Sequence, residues 1–197
     1  DADMDQVADA LLGAGFGSAG ERCMAISVAV PVGEGTAEAL LEKLLPKVKD
    51  LKVGHSHDPQ SDYGPLVTPE SKARVLDYID QGEKAGAELL VDGRGVGAYT
   101  GEFNGEDISE GYYVGPTLMD KVTPDMSVYT DEIFGPVLVV VHAKDFEEAL
   151  SLPNDHEYGN GVAIFTRDGD AAREFVSRVE VGMVGVNVPI PVPIAYH

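Results

Sequence analysis

The chain has 197 residues, 44% apolar and 24% charged, which fits one globular domain, or at most two small ones, around a real core and excludes wholesale disorder and collagen-like repeats. Thirty-four acids against fourteen bases give a net charge of −20, a field that repels phosphate backbones and argues against a nucleic-acid partner. The longest apolar run, residues 182–195, is broken by Asn187 and three prolines, so no membrane span is expected, and no basic segment leads into an apolar stretch as a secretory signal would.

In chain order, Asp3 to Ala14 reads as a helix, with Asp3 or Asp5 as N-cap and Val7, Ala8, Leu11 and Leu12 on one face. A glycine cluster ends it, and Ala25 to Val32 reads as a buried strand. Apolar residues from Ala37 to Leu51 recur at helical spacing, with a kink expected at Pro46. Thr68 and Pro69 open a second long helix that Gly86 closes, followed by a strand over Ala87 to Val91. Arg94 to Gly111, rich in glycine and acids, reads as an exposed loop. Strands are expected over Tyr112 to Leu118 and Val137 to His142, and Asp145 with Glu148 resembles a capping box. A strand over Gly161 to Thr166, a helix over Asp168 to Arg178 and a strand over Met183 to Val188 complete the set. Helices alternating with strands predict an α/β fold.

Gly15 to Gly20 matches the G-x-G-x-x-G spacing of dinucleotide sites, but a helix precedes it and a strand follows, the reverse of what that fingerprint needs. These glycines instead suit a backbone that passes close to something, and the segment Gly20-Glu21-Arg22-Cys23 is what it is expected to approach. Cys23 is the sole cysteine, so no intrachain disulfide forms. Arg22 and oriented backbone amides are what a reactive thiolate needs, while a buried structural cysteine is the plainer alternative. Both stay open on these residues alone. His55, His57 and Asp58 alternate as metal ligands do, yet a solvated polar turn accounts for them better, and no metal is expected. The acid runs Asp107 to Glu110 and Asp131-Glu132 are ordinary loop features.

Five segments carry a resemblance. FGSAGERCMA at Phe16 to Ala25, DYGPLVT at Asp62 to Thr68, EIFGPVL at Glu132 to Leu138, Asn154 to Thr166 ending in YGNGVAIFT, and GVNVPIPVP at Gly185 to Pro193 resemble, in order, landmarks of the aldehyde dehydrogenase superfamily in its CoA-acylating methylmalonate-semialdehyde branch. The resemblance implies a catalytic domain over residues 1–197, with a mostly parallel sheet flanked by helices, and places the Rossmann-type NAD domain outside this chain. It implies Cys23 as nucleophile, Glu132 on the nicotinamide-side ribose, Phe134 beside the nicotinamide and Arg22 on the substrate carboxylate. NAD and coenzyme A are the implied cofactor and acyl acceptor, a small aldehyde the substrate, the cytoplasm the location, and a homodimer or homotetramer the assembly. A hydrolytic aldehyde dehydrogenase, and a fragment without activity of its own, are the alternatives.

Overall fold

Asp3 caps the first helix, α1 (Met4–Phe16), by accepting from the amides of Asp5 and Gln6. The computed structural model describes residues 1–189, so the end of the GVNVPIPVP segment lies outside the described residues. A tight turn over Gly17–Gly20 follows, then β1 (Val28–Ala29). The expected strand is longer than this paired core. Its carbonyls at Ser27, Ala29 and Pro31 each accept from the neighbouring strand, but only Val28 and Ala29 have full ladder geometry. Helix α2 (Thr36–Lys49) runs on through Pro46, and both Pro46 and Glu42, whose carbonyl lacks the usual amide partner, are exposed where water can serve it.

Helix α3 (Pro69–Ala85) has the expected ends: Thr68 accepts from the Ser71 amide, and Gly86 adopts a left-handed backbone. The antiparallel β2 (Glu88–Val91) comes next. The expected loop after it contains a hairpin instead, β3 (Glu102–Phe103) and β4 (Glu106–Asp107), turning at Asn104 (φ 53°) and Gly105 (φ 83°). Asn-Gly is the preferred two-residue hairpin turn, a signal that the acidic composition around it masked. β5 (Thr117–Asp120) begins later than expected, because Pro116 offers no amide to the ladder. A short helix, α4 (Ser127–Thr130), leads to β6 (Val137–Val140).

Asp145 caps α5 (Phe146–Asp155) through the Glu148 amide, but Glu148 reaches back to the Lys144 amide, one residue before the expected capping-box partner. β7 (Gly161–Ile164), α6 (Gly169–Arg178) capped by Asp168, and β8 (Met183–Val186) complete the described residues. Asn187, with φ 55°, turns the chain out of the last strand and ties its side chain to the Thr166 backbone.

The main sheet has the order β1-β6-β5-β2, parallel except at β2, and β7 pairs parallel with β8 separately. Leu118 and Leu138 are in register, as are Met119 and Val139. Side chains alternate along a strand, so these pairs face opposite sides. The end of α1 rests on Leu138, whereas α3 approaches Met119 at Gly82. Helices therefore cover both faces, which is why β5 and β6 are buried along their whole length. The chain has the expected mostly parallel α/β architecture.

The DYGPLVT segment braces this core. Tyr63 is buried and its hydroxyl donates to the Val114 carbonyl at 3.1 Å, and burial holds its phenol protonated far above its ordinary range. Tyr63→Phe keeps the ring and strands that carbonyl, so we expect a loss of about 1–3 kcal/mol, read as a lower urea midpoint at unchanged slope.

Candidate active site

The segment that leads to Cys23 is built on strained backbone. Ser18 (φ 54°), Ala19 (φ 56°) and Gly20 (φ 71°) are consecutively left-handed, and Ala19 is buried. Left-handed residues with a Cβ cost of order 1–3 kcal/mol each and persist where the surroundings hold them. Gly20 shows what holds them here: a Cβ on it would lie 2.1 Å from the Gly135 carbonyl oxygen. The two loops therefore touch backbone to backbone, and Gly135 is in turn pressed against Val75 of α3.

This contact brings the four residues singled out in the sequence together. Arg22, Cys23, Glu132 and Phe134 all line one small cleft of about 60 Å³. Cys23 is exposed, so it is not the buried structural cysteine of the plainer reading. It sits in a turn closed by the Ala25 amide donating to the Arg22 carbonyl at 3.1 Å. Phe134 is 36% exposed and left-handed at φ 56°, an unfavourable backbone for a bulky residue and one that fixes where its ring can point. Cys23 and Glu132 also border a second cavity of about 520 Å³, whose lining includes residues of β1 and β7.

Arg22 makes no ion pair among the described residues, with Glu21 or any other acid. Its Nε donates to Ser18 Oγ at 3.2 Å and its Nη1 to the Gly13 carbonyl at 3.5 Å, and the guanidinium lies over Gly17. Nη2 has no protein acceptor among the described residues. Glu21, half-buried beside it, has its carboxyl raised above the ordinary value by that burial, against an opposing hydrogen bond from the Val67 amide.

Of the two adjacent acids before Phe134, one is structural. Asp131 accepts from Thr130 Oγ1 at 2.8 Å and from the Tyr78 hydroxyl at 2.9 Å, and these bonds, Thr130 first, hold its carboxyl below the ordinary value of 3.8. This pins the loop to α3 and leaves Glu132 as the acid turned to the cleft. A lowered folded pKa means the tie contributes fully above the unfolded value and is lost as pH falls through the lower folded one. We therefore expect the tyrosine near-ultraviolet signal to change below about pH 4, and the change to be smaller in Tyr78→Phe, which retains only the similar contribution of Tyr99 on Asp58.

The other candidates brace loops. His55 stacks on Phe103 and accepts from the His57 amide, and Asp58 accepts from the Tyr99 hydroxyl and the Gln60 amide. Among the described residues no three His, Cys, Asp or Glu side chains gather as metal ligands do.

One contact was not foreseen. Asn160 lies inside the quoted YGNGVAIFT segment, and its side-chain amide donates to the Cys23 carbonyl at 2.6 Å. An Asn-Gly pair at a strand start was the available signal, but its target is remote in sequence.

A fold of this kind carrying an exposed cysteine beside an E-x-F-G-P loop defines a class. The aldehyde dehydrogenase family model matches residues 1–196, and the chain belongs to that family. Among its relatives is the malonate-semialdehyde dehydrogenase of Pseudomonas aeruginosa, 57% identical over all 197 residues, which cover 38% of that protein. The bovine mitochondrial acylating methylmalonate-semialdehyde/malonate-semialdehyde dehydrogenase is 46% identical over 96% of this chain and 34% of its own length. Two solved structures superpose over the entire chain. A Sinorhizobium meliloti 1021 protein assigned as a methylmalonate-semialdehyde dehydrogenase, complexed with NAD, gives a TM-score of 0.93 at 60% identity. The methylmalonate-semialdehyde dehydrogenase of Oceanimonas doudoroffii gives 0.92 at 50%. The chain spans 39% of each of these two structures.

Proposed function

We propose that residues 1–197 are the nucleophile-bearing catalytic domain of an NAD-dependent, CoA-acylating malonate- or methylmalonate-semialdehyde dehydrogenase. The convergence of Arg22, Cys23, Glu132 and Phe134 on one cleft carries the reading, and the relatives' names supply its substrate class.

The thiolate of Cys23 attacks the aldehyde carbon and forms a thiohemiacetal, and the Cys23 backbone N–H faces the developing oxyanion. Glu132 is an exposed carboxylate able to accept two hydrogen bonds from a diol, and Phe134 is an aromatic wall of fixed direction, so the pair fits the ribose-nicotinamide end of a dinucleotide. NAD, which Glu132 and Phe134 would hold at its ribose-nicotinamide end, would supply the hydride acceptor for the carbon attached to Cys23. Collapse leaves a thioester on the sulfur, a good leaving group. The substrate carboxylate departs as carbon dioxide, the electron pair it leaves forms a thioester enolate that takes one proton from water, and the CoA thiol, giving up its own proton, then takes the acyl group and returns Cys23 as a thiolate. Arg22 meets the substrate carboxylate through the edge of its guanidinium that the protein leaves free. The same reading carries a cytoplasmic setting and a homodimer or homotetramer.

The test is product identity. Malonate semialdehyde, NAD and CoA should give NADH, acetyl-CoA and carbon dioxide in equal amounts, and withholding CoA should leave an acylated Cys23 peptide in the mass spectrum. Free acid formed at a rate indifferent to CoA would establish the hydrolytic alternative instead.

A further inference from the structure

We propose that Asn160 is a positioning residue that locks the peptide following the nucleophile; the proposal rests on Cys23 as the attacking group. The turn Arg22 to Ala25 is closed by a single hydrogen bond between its ends, at 3.1 Å, with Cys23 and Met24 as its central residues. In such a turn the middle peptide is the soft element. It rotates through half a turn to interconvert the common turn types while the end-to-end bond survives, the second form requiring a positive φ at the third residue. Met24 keeps a negative φ, so the chain holds the first form.

Asn160, immediately before β7, and Gly161, the first residue of that strand, account for this choice. The Asn160 side-chain amide donates to the Cys23 carbonyl at 2.6 Å, and that oxygen can only accept, so the NH2 end of the amide must face it. Next to it, Gly161 gives room to the Met24 thioether, whose tip would lie 2.4 Å from a Cβ at that position. The Asn160 carbonyl in turn accepts from the Met183 amide at 3.1 Å, so the donor stands on a paired strand end rather than a loose loop. Two consecutive residues, Asn160 just before β7 and Gly161 at its start, thus receive the two central residues of the turn.

The consequence is electrostatic. A trans peptide points its N–H opposite its C=O. Holding the Cys23 oxygen on Asn160 therefore holds the Met24 N–H on the other side, and a flip would exchange donor for acceptor one residue from the thiol. Carbonyl oxygen turned toward a thiolate and a developing oxyanion opposes both charges.

The experiment compares Asn160→Ala with Asn160→Asp, which keeps the shape and removes the donor, in the catalytically active protein. NADH formation reads hydride transfer whatever the acyl acceptor, so an error in the substrate or CoA assignment leaves this arm intact. We expect kcat to fall about tenfold in both variants, with KM for aldehyde and NAD within twofold. The carbonyl carbon-13 signal of Cys23 should move in both, and their melting temperatures should stay near the parent value. The signal reads the lock directly, even if the parent protein oxidises no aldehyde at all and the proposed function falls. An unmoved carbonyl signal, or kcat within twofold of the parent in both variants, would overturn the proposal. So would a loss of kcat that tracks a fall in melting temperature, since that is the mark of a merely structural contact.

Discussion

Arg22→Leu should lower kcat/KM for malonate or methylmalonate semialdehyde by about 30- to 4000-fold, while propanal loses under about tenfold. The first range follows from a charge-assisted pair worth roughly 2–5 kcal/mol when desolvated, converted by transition-state arithmetic. The structure explains why Arg22 suits the task. Ser18 and the Gly13 carbonyl hold two edges of the guanidinium, so little side-chain freedom is left to lose when a carboxylate arrives at the third. No acid competes for it among the described residues, in a chain of net charge −20 where most arginines are paired. Propanal has no carboxylate and is sensitive to Arg22 only through the thiol. Steady-state kinetics with the two aldehydes separates the causes: a clamp harms the carboxylated substrate, whereas a role in activating Cys23 harms both equally. Equal losses would remove the residue-level reason for the semialdehyde assignment.

What the sequence revealed follows the range of the interactions involved. Asp3, Thr68 and Asp168 cap helices through amides two or three residues away, and all three ends are legible because the donor and acceptor are local. The Asn104-Gly105 hairpin is equally local, yet acids and glycines on both sides made its composition look like that of a loop. The pairing order β1-β6-β5-β2 depends on contacts between distant segments, and only the general expectation of an α/β sheet was available for it. The site divides in the same way. Cys23 and Glu132 stand in segments that resemble a family, but what sets them on one cleft is the approach of Gly20 to Gly135, and what orients the turn is Asn160. The glycine cluster signalled a close backbone approach at Gly20, but neither contact leaves a pattern that names its partner, because Gly135 and Asn160 are remote in sequence.

The approach of Gly20 to Gly135 gives the other large expected effect. Gly20→Ala should destabilise the fold by about 2–5 kcal/mol, from roughly 1–2 for a Cβ on left-handed backbone and roughly 1–3 for overpacking. The new methyl would stand 2.1 Å from the Gly135 oxygen, 2.5 Å from its carbonyl carbon and 3.1 Å from the Pro136 nitrogen, all backbone atoms with no rotamer to adopt. Gly135 cannot retreat, since it is buried against Val75. Gly33→Ala supplies the control: Gly33 has φ 86°, but a Cβ there meets nothing within 4 Å, so only the backbone penalty applies. For a domain of this size each kcal/mol moves the melting temperature about 2–4 °C. Gly20→Ala should therefore melt clearly below Gly33→Ala, and the gap measures the contact between the loops. The same substitution pushes the Cys23 turn away from Glu132 and Phe134, so turnover should fall even at temperatures where the variant stays folded. Equal melting temperatures for the two variants would mean that the loops part without cost, and that their contact is not what assembles the cleft.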